Sequence, residues 1–139
     1  MQVFRHFPLS LETPIGLTIG NFDGVHIGHQ ALIQKLIEES KRRKITPSVM
    51  TFEPHPKEFF VPEHAPTRLT SLREKLEFFS SCGVENVFVC AFNKKFANIS
   101  SEVFMHQILK KQLKAELIIV GDDFRFGAQR LAGIEDLRK

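Results

Sequence analysis

Apolar positions along the chain fall into short continuous runs separated by amphipathic stretches, an alternation that predicts strands joined by helices. Leu17 to Phe22 is the first such run. Gln30 to Lys44 follows, with Leu32, Ile33, Leu36 and Ile37 at the spacing of one buried helical stripe. Pro47 to Phe52 is a second apolar run, ended by Pro54 and Pro56, neither of which can donate to a continuing ladder. Lys57 to Leu69 is rich in Pro, Glu and His without a period, and reads as a surface loop. Ser71-Leu72-Arg73-Glu74 fits a capping box; Leu72, Leu76 and Phe79 continue it as a helical stripe, and Gly83 supplies the stop near Cys82. Asn86 to Phe92 is almost wholly apolar, the pattern of a strand covered on both faces. Ser100 suits the N-cap of a helix reaching about Leu113, with Phe104, Ile108 and Leu109 inward and Lys110, Lys111 and Lys114 in its last turn. Leu117 to Val120 is expected to be a fourth, fully buried strand. Met1 to Ile15 carries no readable period, although Phe4 and Phe7 are candidates for packing on the sheet edge.

Strands that are continuously rather than alternately apolar, each followed by a helix, imply a parallel sheet with right-handed crossovers and helices on both faces. The expected fold class is therefore α/β, a Rossmann-like layered sheet. With 139 residues and no composition shift that would mark a linker, the chain reads as one domain. Its 14 Phe, with no Tyr or Trp, make an aromatic core whose rings need no polar partner. A formal charge of +3 suits a phosphorylated small molecule but falls short of a nucleic-acid-binding stripe. The run Lys41-Arg42-Arg43-Lys44 lies where the first helix should end and reads as a solvated C-terminus complementing the helix dipole. Cys82 and Cys90 form neither a disulfide framework nor a zinc knuckle and read as small buried hydrophobes. No run approaches transmembrane length, so no membrane partner is expected and the cytoplasm is the expected compartment.

In an open α/β sheet, ligands bind beyond the carboxyl ends of the strands, and here each such segment is unusual. After the first strand come Asn21-Phe22-Asp23-Gly24-Val25-His26-Ile27-Gly28-His29, with both histidines on one face of a helix's first turn. A helix N-terminus offers free N–H groups and partial positive charge, and Gly24 and Gly28 let an anion approach the backbone. There the histidines are expected to be neutral donors near pH 7, because the positive helix end disfavours imidazolium. After the later strands come Glu53-Pro54-His55-Pro56, then Phe92-Asn93, then Gly121-Asp122-Asp123-Phe124-Arg125-Phe126-Gly127. Together they supply what transfer at a phosphoanhydride needs: donors to nonbridging oxygens in His26 and His29, and hard oxygen groups for Mg²⁺ in Asp23, Asp122 or Asp123. No serine, cysteine or lysine nucleophile is evident. Plainer roles compete: Asp122 and Asp123 can cap a turn, Phe124 and Phe126 can be core, and His55 and Asn93 can be turn residues. His-x-x-His can also be half a zinc site, but no second pair stands at ligand spacing.

Gly20 to His29, Thr51-Phe52-Glu53-Pro54-His55-Pro56, Arg68-Leu69-Thr70 leading to Arg73-Glu74-Lys75, and Val120 to Gly127 together resemble the bacterial bifunctional riboflavin kinase/FAD synthetase family, from about Gly16 to Arg130. His-x-Gly-His alone marks the wider nucleotidyltransferase superfamily, whereas the Phe-Glu-Pro-His-Pro and Gly-Asp-Asp-Phe-Arg-Phe-Gly segments are particular to the flavin branch. The resemblance implies a domain transferring AMP from ATP to FMN, giving FAD and pyrophosphate with Mg²⁺. It implies ATP contacts from Gly20, Asn21, Phe22, Asp23, Gly24, His26, Gly28 and His29, with His26 and His29 catalytic. It assigns Pro54, His55, Pro56, Asn93, Asp123, Phe124, Arg125 and Phe126 to the flavin-nucleotide region, and the metal to Asp123. In that family the domain continues through a further strand, a Ser/Thr-rich phosphate-binding segment and a riboflavin kinase barrel. The expectation for residues 1–139 is therefore an incomplete adenylyltransferase domain lacking its last strand, with an open sheet edge able to pair with another chain. Two rivals remain: a noncatalytic nucleotide-binding fragment, and a nucleotidyltransferase with a different phosphorylated acceptor.

Overall fold

Side chains alternate across each strand, and the two sets they form are covered by different helices. The computed structural model describes residues 1–6, 8, 11–20, 22, 27–53, 72–91, 98–120, 125–126 and 132–133. In chain order the elements are β1 (Gln2–Phe4), β2 (Ile15–Ile19), α1 (Ile27–Arg43), β3 (Thr46–Glu53), α2 (Leu72–Cys82), β4 (Asn86–Ala91), α3 (Ser101–Val103), β5 (Ala115–Ile119), β6 (Arg125–Phe126) and β7 (Ala132–Gly133). α3 runs directly into a π-helical segment, Phe104–Gln112. Ile15, Leu17 and Ile19 of β2, Met50 and Phe52 of β3, and Phe88 and Cys90 of β4 pack beneath Phe104, Ile108 and Leu109 of that segment. On the opposite face, Val49, Val87 and Val89 pack against Ile33 and Leu36 of α1 and Phe79 of α2. The expected parallel sheet with helices on both faces is the one observed.

The main sheet has the order β1-β4-β3-β2-β5, and every pairing in it is parallel. Its fifth strand comes from the N-terminal stretch that has no readable period: Gln2–Phe4 pairs with Asn86–Phe88, and the Phe4 ring stacks on Phe88 at 5.0 Å. Three residues are too few to show a period. Phe4 thus packs at the sheet edge as expected, whereas Phe7 lies outside the described residues. β5 differs from the expectation: its side chains are half-buried or exposed rather than fully covered, and among the described residues only β2 flanks it. A continuous apolar run reports burial on two faces but not the presence of neighbours on both edges. β6 and β7, an antiparallel pair, were not anticipated.

Helix ends follow local chemistry. α1 closes with Lys44 at φ +59, its N–H donating to the Lys41 carbonyl at 3.2 Å while Ile45 N–H reaches Ser40 at 3.0 Å. This is the Schellman pattern. α2 repeats it with Gly83 at φ +99, Gly83 N–H to Ser80 and Val84 N–H to Phe79. Lys41, Arg42 and Arg43 are exposed in α1's last turn, and Arg42 pairs with Glu39 at 2.6 Å. That hydrogen bond holds the half-buried Glu39 carboxyl below its ordinary range. Ser100 caps α3, its Oγ accepting from Val103 N–H at 3.2 Å. Ser71, the proposed cap of α2, and the 57–69 loop lie outside the described residues. α1 also sits very close to β2, since a Cβ at Gly16 would overlap the Ser40 hydroxyl.

Candidate functional site

Parallel pairing puts the carboxyl ends of all five strands at one edge of the sheet. From β2 the chain winds outward through β3 to β4, then returns to lay β5 on the other side of β2. The winding direction therefore reverses between β2 and β5, and the crevice of such a sheet opens at that reversal. The carboxyl ends of β2 at Ile19 and of β5 at Ile119 flank it. The ends of β3 and β4 stand progressively further out. Sequence order alone gives four converging segments; strand order ranks them.

The β2 side is the best described. The strand stops at Ile19, earlier than the apolar run suggests, although Gly20 N–H still donates to the Met50 carbonyl at 3.1 Å. Phe22 then adopts φ +53, a left-handed backbone that a non-glycine residue rarely takes. Its ring turns inward and is only 2% exposed, packed edge-on against Phe79 at 5.3 Å and 83°. The His29 imidazole also meets this ring, at 5.3 Å and 67°. Gly20 permits this fold-back: a Cβ there would come within 3.2 Å of the Phe22 ring. α1 begins at Ile27, three residues earlier than its apolar stripe shows, so Gly28 and His29 stand in the first turn, where backbone N–H groups have no intrahelical acceptor. His29 is half-buried there.

Of the residues assigned from the resemblance, the structure brings Gly20, Phe22, Gly28 and His29 together at the β2–α1 junction. Asn21, Asp23, Gly24 and His26 fall outside the described residues, as do Pro54, His55, Pro56, Asn93, Asp123 and Phe124. Arg125 and Phe126 form strand β6, paired with Gly133 and Ala132. Among the described residues no group of three or more His, Cys, Asp or Glu could hold a metal ion. Nor is any described helix long and apolar enough to cross a membrane. Cys90 is buried in the core, which pushes its thiol well above the usual range, while Cys82 is half-buried on α2.

Lys75 is only 2% exposed, an unusual burial for an amine. It stands one turn before Phe79 on the same face of α2. Residues 83–85 alone join α2 to the start of β4, so the helix's first turn, with Lys75, points toward the strand carboxyl ends. An amine standing within an apolar stripe is the signal that marks it.

A parallel α/β sheet with a helix N-terminus and a histidine at its switch point belongs to the nucleotide-binding class of layered folds. The sequence model of the FAD synthetase family matches residues 10–139, and the chain belongs to that family. It is 51% identical over 114 residues to the bifunctional riboflavin kinase/FMN adenylyltransferase of Escherichia coli K12, covering 82% of this chain and 36% of that protein. The same-named protein of Buchnera aphidicola subsp. Schizaphis graminum is 39% identical across the whole chain, which covers 45% of it. The chain thus spans less than half the length of these relatives. A crystal structure described as a macrolide-efflux protein from Streptococcus pneumoniae superposes with a TM-score of 0.84 at 24% identity, over 99% of this chain and 46% of that one. That likeness shows a shared fold.

Proposed function

We propose that the chain carries the adenylyl-transfer half of its relatives' chemistry: AMP passes from ATP to FMN, giving FAD and pyrophosphate. The observation that carries this reading is His29 in the first turn of α1, at the switch point of a sheet whose family match covers residues 10–139. An FMN phosphate oxygen attacks the α-phosphorus of ATP in line. The new P–O bond forms as the bond to the bridging oxygen breaks, and that oxygen leaves with pyrophosphate. Such a transfer needs positioning and charge stabilisation rather than a protein nucleophile. His29, with His26, donates to nonbridging oxygens of the α-phosphate, and the free N–H groups of α1 add to the same field. Asn21, Asp23 and Gly24 flank the nucleotide, while Pro54, His55, Pro56, Asn93 and the 123–126 segment form the flavin side.

Mg²⁺ belongs to this reading through the hard carboxylates Asp23, Asp122 and Asp123, of which Asp123 is the first candidate. When bound it offsets polyphosphate charge. The donor chemistry fits the ion. Intracellular work on freely diffusing nucleotides, without membrane or nucleic acid, is part of the same proposal, as is pairing through the open side of β5.

Incubation with ATP, FMN and Mg²⁺, with FAD read by chromatography, tests the reading. The expected result is FAD formation that falls about 100- to 1,000-fold in His29→Ala, the usual loss for one positioned donor. Equal FAD output from the variant removes His29 from the chemistry. ATP binding by calorimetry with no FAD from the parent chain marks a binding fragment instead.

A further inference from the structure

We propose that Phe22 is a positioning residue: its ring, in edge-on contact with both Phe79 and His29, fixes the orientation of the His29 imidazole, and position 20 is glycine to leave that ring its place. The family resemblance puts Phe22 among the nucleotide contacts, but its burial argues for action through the histidine. A ring only 2% exposed offers no open face to a base or ribose. Its two neighbours meet it edge-on, at 5.3 Å and 67° for His29 and 5.3 Å and 83° for Phe79. Phe79 is itself fully buried on α2, so the ring that touches the imidazole is also anchored to the core. Phe22 holds φ +53 to reach this place, and Gly20 is the residue whose Cβ would meet the ring at 3.2 Å. A strand end, a left-handed turn residue and a helix start are thus tied to one imidazole by one aromatic ring. Edge-to-face geometry constrains ring orientation in a way that an aliphatic side chain cannot.

Two variants test this, Phe22→Leu and Gly20→Ala. The first keeps an apolar side chain and loses the ring; the second removes no apolar group and makes the ring give way by a few tenths of an ångström. Amide dispersion in NMR spectra reports whether each folds. The His29 ring resonances, read in histidine-labelled protein, are expected to lose the displacement imposed by the Phe22 ring in Phe22→Leu and to shift by a smaller amount in Gly20→Ala. The kinetic arm rests on the adenylyl-transfer reading: kcat for FAD formation should fall about tenfold to a hundredfold, the scale of a misplaced catalytic group, while KM for ATP stays within about threefold. Unchanged His29 resonances in a folded variant overturn the proposal whatever the activity. A rise in KM for ATP at constant kcat also overturns it, since that is the signature of a lost nucleotide contact. A parent chain that makes no FAD defeats the functional reading alone, and the His29 spectra still decide the role of Phe22.

Discussion

Phe22 shows at a single residue how a local cost is offset by packing. A left-handed backbone at a bulky residue costs on the order of 1–3 kcal/mol, and full burial of a Phe side chain returns about 1.5–3 kcal/mol. The near balance means the turn holds only while Phe79 and the α1–α2 face remain packed. None of this was legible in the sequence, where Phe22 closes an apolar run and reads as the last residue of a strand. Hydrophobicity said correctly that the ring is buried; it could not say that the backbone reverses to bury it. Cys90 gives a cleaner residue-scale prediction. Its burial raises the folded-state pKa above the unfolded value, so the folded chain holds the proton more tightly. Stability is then full below the unfolded thiol pKa and declines as pH rises through the alkaline range, by up to about 1.4 kcal/mol per pH unit. Urea melts between pH 7 and 10 should show a shallower alkaline decline in Cys90→Ala than in the parent, beneath a lower stability at every pH. Parallel curves would mean that the thiolate is not excluded.

Among the elements, the helices were the most legible and their ends the most informative. Gly83 was expected to stop α2, and it does so at φ +99 with both reciprocal bonds of a Schellman motif. A β-carbon there meets open space, with only Ile37 Cδ1 at 3.9 Å, so the penalty of Gly83→Ala is conformational rather than steric. The expected loss is about 1–2 kcal/mol in chemical denaturation, the cost of a left-handed L-residue. A neutral result would show that the turn relaxes to another geometry. Lys44 ends α1 by the same device without glycine; the basic run at its end placed the boundary to within a residue, but nothing in that run signals a left-handed cap. Ser100 was legible because its hydroxyl has one clear use at a helix start. The π winding of Phe104–Gln112 was not, since Phe104, Ile108 and Leu109 face inward in either winding. Its last turn shows the difference, Leu113 N–H reaching back five residues to the Ile108 carbonyl at 2.9 Å.

At the scale of the whole molecule, sheet order turns a set of strand ends into a site, and it also puts β5, like β1, at an edge of the described sheet. β2 could be ranked above the other strands only once β5 was seen to lie on its far side, a long-range fact that no local pattern encodes. β5 carries the consequence. Leu117, Ile118 and Ile119 are half-buried, and among the described residues only β2 pairs with the strand. The register advances by two residues on β5, from Ala115 to Leu117, against one on β2, from Ile15 to Gly16, so Glu116 is the extra residue of a bulge. It is exposed and charged. Bulges and charges are the two common ways of blunting an edge, and Glu116 combines them. If β5 is the surface through which this chain self-associates, Glu116 limits that association rather than driving it. Glu116→Val should then lower the concentration at which dimers or larger species appear in sedimentation velocity, while the parent chain shows weaker, concentration-dependent association. Monomers of both proteins across the same concentration range would show that β5 does not pair between copies, and would leave the edge silent in this chain.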